Sequence, residues 1–209
     1  MMIPLDVMAL FIAASASLAI APGPDNMFVL TQSAIYGRKA GIRVTLGLAT
    51  GLLAHIAAVT LGVAALVRTS AVAFTALKVA GVSYLLYLAW QAFRAGRMDV
   101  DAMGGSALSA RTLYLRGILM NVTNPKVAIF FLAFLPQFAD PTRGPVAAQI
   151  VLLGIAFTIT ALVIFSIISW ASDHIGEWLR SSDRAQIVMN RVSGVVFVLL
   201  ACRLALSQP

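Results

Sequence analysis

The chain has 209 residues, of which 60% are apolar and 11% charged, where an ordinary soluble domain is roughly half apolar and about a quarter charged. With a mean hydropathy of +0.92, this composition argues against a soluble globule, a disordered tail or a fibrous repeat. The formal charge is +7, from 15 Lys and Arg against 8 Asp and Glu. These charges lie between long apolar runs, so they speak for orientation in a bilayer rather than for nucleic acid.

In chain order the apolar runs cover about 4–36, 44–67, 71–93, 113–138, 147–171 and 190–206. At ~20 residues per span this predicts about six membrane helices and no separate soluble domain. Met1 to Asp6 carry no Lys or Arg, whereas a signal peptide begins with a positive region. The run from Val7 is therefore read as a retained first span. That first run is too long for one plain span: at ~1.5 Å per residue it would reach about 50 Å, against a hydrocarbon core of roughly 30 Å. Pro22, Gly23 and Pro24 sit inside it. Two prolines remove two backbone donors and do not fit a regular helix, so a broken helix is expected there. The fourth run is interrupted in the same way by Asn121-Val122-Thr123-Asn124-Pro125-Lys126, and Pro136 marks its end. Irregular backbone at membrane depth is tolerated only where protein or a watery cavity solvates it. Both breaks are thus candidates for lining a cavity. In the fifth loop, Ile175, Trp178 and Leu179 with Arg180 and Arg184 nearby suit either a helix lying at the interface or a plain solvated loop.

Ten Lys and Arg fall in the first, third and fifth loops, including Arg38, Lys39, Arg94, Arg97, Arg111 and Arg180. Three, Arg68, Arg143 and Arg203, fall on the opposite side. The ten-charge side is expected to be cytoplasmic, with both termini outside. The halves also resemble each other. Lys78-Val79-Ala80-Gly81-Val82-Ser83-Tyr84 aligns with Arg191-Val192-Ser193-Gly194-Val195-Val196-Phe197, Pro24 with Pro125, and Gly47 weakly with Gly154. The fold expected is an all-α integral membrane protein of six transmembrane helices. It would form two inverted three-helix repeats, residues 1–94 and 113–209, joined by a cytoplasmic linker at 95–112. In secondary transporters built this way, breaks at matching positions point to the binding site.

The candidate site residues follow from the breaks: Pro22, Gly23, Pro24, Asp25 and Asn26 from the first, Asn121, Asn124, Pro125 and Lys126 from the second. Ionisable residues within spans are functional candidates by default. Pro24 suits the first position of a half-helix. The N–H groups exposed there favour a carboxylate, while Asp25 can hold a proton or pair with an ammonium. Asn121, Thr123 and Asn124 can cap a half-helix or bind a polar ligand. Lys126 can attract a carboxylate or neutralise Asp25. Lys78 is expected to extend its stem outward, His55 to be a hydrogen-bonded packing residue, and the lone cysteine, Cys202, to be a buried packing thiol. Gly47 and Gly51 form a GxxxG pattern that allows close helix approach within one chain or between two, so a homo-oligomer stays open. Zinc, phosphate-loop and nucleophile-turn motifs are missing, and two His with one Cys supply a transition-metal site poorly. No enzyme activity, cofactor or metal is expected, and the energy source is not ATP hydrolysis within this chain.

Three stretches carry a family resemblance. Ala21-Pro22-Gly23-Pro24-Asp25-Asn26 with Gly37-Arg38-Lys39-Ala40-Gly41, then Leu77 to Leu85, and Asn124-Pro125-Lys126 running to Gln137-Phe138 resemble the signatures of the LysE/RhtB family of bacterial amino-acid exporters. The resemblance covers nearly the whole chain. It implies efflux of amino acids or close derivatives across the bacterial inner membrane, coupled to protons. It does not select among basic, hydroxylated, sulfur-containing or branched cargo. The expected mechanism is alternating access. A zwitterionic amino acid lies between the breaks, its carboxylate on half-helix N–H groups and Lys126, its ammonium on Asp25, Asn26 or freed carbonyls. Protonation of Asp25 would then favour release. A divalent-metal exporter of similar architecture and a non-transporting membrane scaffold are the rival readings.

Overall fold

The computed structural model describes residues 2–21, 23–69, 71–95, 108–172 and 183–206, with backbone alone for 63–69, 71–74, 77 and 183–186. Pro22, most of the 95–112 linker with Arg97, and the Ile175, Trp178, Leu179 and Arg180 segment lie outside the described residues. Among those described, helices dominate and no strand occurs.

The first apolar run is two helices, α1 (Leu5–Ile20) and α2 (Pro24–Tyr36), bent by 61°. Gly37 alone, at φ 81° in the left-handed region that favours glycine, separates α2 from α3 (Arg38–Thr69). α3 therefore begins several residues before the apolar run does. α4 spans Ala71–Arg94 and α5 Ala110–Val122. α5 reaches back to Ser109, whose hydroxyl accepts the Thr112 N–H as an N-cap. Across the Thr123–Asn124 break, α6 (Pro125–Ile129) continues through a π turn at Phe130–Phe134 and a 3-10 turn at Leu135–Phe138. The bend between α5 and this segment is 48°. Pro136 explains the irregular end: it has no N–H for the Leu132 carbonyl and its ring crowds that carbonyl, so the ladder widens before it. A short loop capped by Asp140 leads to α7 (Val146–Trp170), and α8 (Asp183–Leu206) closes the described chain.

Among the described residues three helices are long and apolar enough to cross a membrane, up to five crossings if each bent pair counts as one. This is an all-helical, multi-pass membrane protein. α3 is central, packed against α2, α5 and α7; α1 lies against α7, and α4 against α8. Small residues set these crossings. A Cβ on Gly47 would stand 2.1 Å from the Tyr114 carbonyl oxygen, and one on Gly117 2.5 Å from that of Val44. The GxxxG pattern thus joins α3 to α5 within the chain. Leu152, Ile155, Ile159, Val163 and Ile167 form an exposed apolar stripe along α7, which a bilayer covers. On one side of the second break, Phe11, Phe130, Phe131, Phe134, Phe138 and Phe157 are buried together, with ring centroids as close as 4.9 Å for Phe130–Phe134.

Cys202 corrects an expectation: it is exposed. Among the described positions of α8, Asn190, Ser193, Gly194, Phe197, Leu200, Ala201 and Leu204 are buried, a helical stripe that Cys202 falls outside. Lys78 donates to the Ala205 carbonyl at 3.1 Å, tying the first turns of α4 to the end of α8.

Candidate substrate site at two helix breaks

Each break begins from missing donors. Pro22 has no N–H for the Leu18 carbonyl four residues back, and Pro24 has none for Ile20. The fold supplies both with side-chain donors. Lys126 Nζ donates to the carbonyls of Leu18 at 3.1 Å and Ala21 at 3.0 Å. Asn26 Nδ2 donates to those of Ala19 at 2.6 Å and Ile20 at 3.4 Å. The C-terminal end of α1, the negative end of its dipole, thereby holds a buried cation.

The second break is built alike. Asn124 caps α6, its Oδ1 accepting the Lys126 backbone N–H at 2.9 Å, and Pro125 takes the first helical position. The Asn124 side-chain amide, through Nδ2, donates to Asp25 Oδ2 at 2.9 Å. Asp25 sits in the first turn of α2, directly after Pro24. One capping residue therefore links the starts of both half-helices. Gly23, in extended backbone at φ −176°, precedes α2, and a Cβ there would lie 3.2 Å from Lys126 Nζ. Gly23, Pro24, Asp25, Asn26, Asn124, Pro125 and Lys126 thus converge. Asn121, one turn earlier on α5, joins them at the cavity wall. Asp25, Asn124 and Lys126 are at most 8% exposed, so the hydrogen bonds they make are to protein groups.

Some acceptors stay open. Asp25 Oδ1, Asn26 Oδ1 and Asn121 Oδ1 are buried without a hydrogen-bond partner. Oxygens of this kind call for a donor. Asp25 and Asn121 border a cavity of about 20 Å³, room for about one water. His55 Nε2 lies 3.1 Å from the Asn121 carbonyl oxygen; a carbonyl only accepts, so the ring donates from Nε2. Its ring centroid is 5.7 Å from that of Phe131. His55 is the hydrogen-bonded packing residue expected.

Sequence reasoning missed the partners of Lys126 and the α3 and α7 residues that wall the cavity, among them Leu48, Leu52, Phe157 and Phe165. The missing proline donors were the available signal for the first. The second leaves none, since apolar residues in an apolar run look alike.

The model of the LysE type translocator family matches residues 16–208. The chain belongs to the LysE family. Among relatives, a homoserine/homoserine lactone efflux protein of Salmonella typhimurium is 31% identical, with 93% of this chain and 94% of that protein covered. An uncharacterised membrane protein of Bacillus subtilis is 30% identical, covering 94% and 97%. A leucine efflux protein of Enterobacter is 26% identical, covering 93% of each. No solved structure matches the chain. In this LysE family member the converging breaks coincide with the two signature stretches around Asp25 and Lys126.

Proposed function

We propose that the chain is a proton-coupled secondary exporter of amino acids or close derivatives, moving them out of the cytoplasm of a bacterium across its inner membrane. Six crossing segments would form two inverted halves, 1–94 and 113–209, with both termini outside. The pairing of α3 with α7 and of α4 with α8 supports this plan, because each helix would meet its own counterpart across a pseudo-two-fold axis. Relatives named for homoserine and leucine efflux support the cargo class. The observation that carries the reading is the meeting of the two breaks: Asn124 bonded to Asp25, and Lys126 bonded to the end of α1. The open oxygens of Asp25 and Asn121 suit the cargo's ammonium. Amides of the first turn of α2, with the third N–H of the Lys126 ammonium, suit its carboxylate. The cavity of about 20 Å³ is too small for an amino acid, so cargo enters only as the halves move apart, as alternating access requires. Protonation of Asp25 removes the charge that holds the ammonium and drives release.

A metal exporter would need several carboxylate or imidazole ligands together. Among the described residues no group of three or more His, Cys, Asp or Glu is so placed. The test is uptake of labelled amino acids into everted membrane vesicles under an imposed proton gradient. The unsubstituted protein is expected to accumulate cargo and Asp25→Asn to lose the proton-driven part. Equal proton-driven uptake by both would rule out Asp25 as the coupling residue.

A further inference from the structure

We infer that the cavity selects a neutral amino acid with an aliphatic side chain, an inference that rests on the export reading above and narrows its cargo. The cavity has a few polar groups in a largely apolar lining. The ionisable and amide groups are Asp25 and Asn121, each with an unpartnered buried oxygen, and the Lys126 ammonium. These groups match the ammonium and carboxylate common to every amino acid, and so select nothing among them. The walls select.

They come from two helices. Leu48 and Leu52 follow one stripe of α3, while Phe157, Ala161, Leu162 and Phe165 follow one stripe of α7. Thr45, also on α3, is the remaining polar group at the cavity. Its hydroxyl already donates to the Gly41 carbonyl at 2.9 Å, which leaves only lone pairs. Among the described lining residues Asp25 is the one carboxylate and Lys126 the one cation, and both are taken up by the cargo's own ammonium and carboxylate. A cargo side chain bearing a second ammonium, a guanidinium or a carboxylate would lie against leucine and phenylalanine with no counter-charge. Such burial is opposed strongly. A hydroxyl is opposed only weakly, since an apolar pocket rejects an added hydroxyl by about 100-fold at most. The geometry therefore ranks branched aliphatic cargo first, a small hydroxylated amino acid within ~100-fold of it, and basic or acidic amino acids last.

The purified full chain in proteoliposomes tests this by exchange of labelled leucine, valine, homoserine, lysine and glutamate, each measured separately. Leucine and valine are expected to exchange, homoserine more slowly, and lysine and glutamate at least ~100-fold less efficiently. Lysine or glutamate exchanging as well as leucine would overturn the side-chain assignment and leave amino-acid export standing. No exchange of any amino acid would instead overturn the export reading itself. A second variant reads the walls directly. Phe165→Ala enlarges the apolar lining and is expected to shift preference from leucine toward phenylalanine by about 10-fold or more. An unchanged ranking in folded, exchanging protein would show that Phe165 does not face the cargo. If that variant fails to fold, the ranking in the unsubstituted protein still decides.

Discussion

Lys126 would be costly in a membrane interior if it stood alone, and the prolines explain why it does not. Its Nζ takes the carbonyl of Leu18, the oxygen that Pro22 leaves without a donor, and that of Ala21 beside it. The position of one residue is thus dictated by the missing hydrogens of another about a hundred positions away. Hydrogen bonds to a charged group contribute roughly 1.5–3 kcal/mol each, and orphaned buried carbonyls carry a desolvation cost besides. Lys126→Met is therefore expected to destabilise the protein by at least ~1.5 kcal/mol, read as a lowered thermal midpoint in detergent. An unchanged midpoint would mean that the ammonium does not hold the end of α1. That Asp25, Asn26 and Lys126 lie at the breaks was legible in the sequence, because a charge or amide beside a proline stands out in an apolar run. That Lys126 grips backbone was not, since a carbonyl oxygen belongs to every residue. Cys202 was misread for a related reason: in a helix inserted in lipid, an apolar neighbourhood in sequence does not distinguish the packed face from the lipid face.

At the level of elements, the breaks were legible because proline chemistry is local. Pro24 and Pro125 each occupy the first position of their half-helix, as their lack of a donor favours. The irregular turns from Phe130 to Phe138 were only half legible. Pro136 signals an end to the helix, but whether the strain upstream resolves as a π turn depends on how the packed phenylalanines seat. Helix crossing is the other feature set at this scale. α3 and α5 approach so closely at Gly47 that a Cβ would meet backbone, which has no rotamer to yield. Gly62 on the same helix has nothing within 4 Å of the equivalent position. Gly47→Ala is accordingly expected to cost about 1–3 kcal/mol or to abolish the folded yield. Gly62→Ala should be neutral or stabilising by up to ~1 kcal/mol through helix propensity. Thermal melts of the two variants side by side check this, and equal behaviour would refute the α3–α5 contact.

For the molecule as a whole, the charge pattern and the two aligned halves pointed to a transporter plan before any coordinates. Among the described helices α3 packs on α7 and α4 on α8, the pairs that the proposed plan would relate. The sequence led to the expectation of a site between the two breaks, but not to which residues join them. Contacts between residues 25 and 124 depend on how the halves dock, which is a property of all the helix crossings together. Around that contact the polar groups are used sparingly: one amide joins the half-helices, one ammonium seals the end of α1, and three side-chain oxygens remain open. Of these oxygens, those of Asp25 and Asn121 border the cavity, where the proposed function would have them accept from cargo. The site proposed above would draw Asp25 from α2 and Asn121 from α5.

Equilibrium binding of labelled leucine to the detergent-solubilised protein examines that shared site without relying on coupling or flux. Each open oxygen accepting from an ammonium contributes roughly 1.5–3 kcal/mol, so Asp25→Asn and Asn121→Ala are each expected to weaken binding by about 10-fold or more while the protein remains folded. Leucine bound with undiminished affinity by either variant would contradict a site built jointly from the two broken segments.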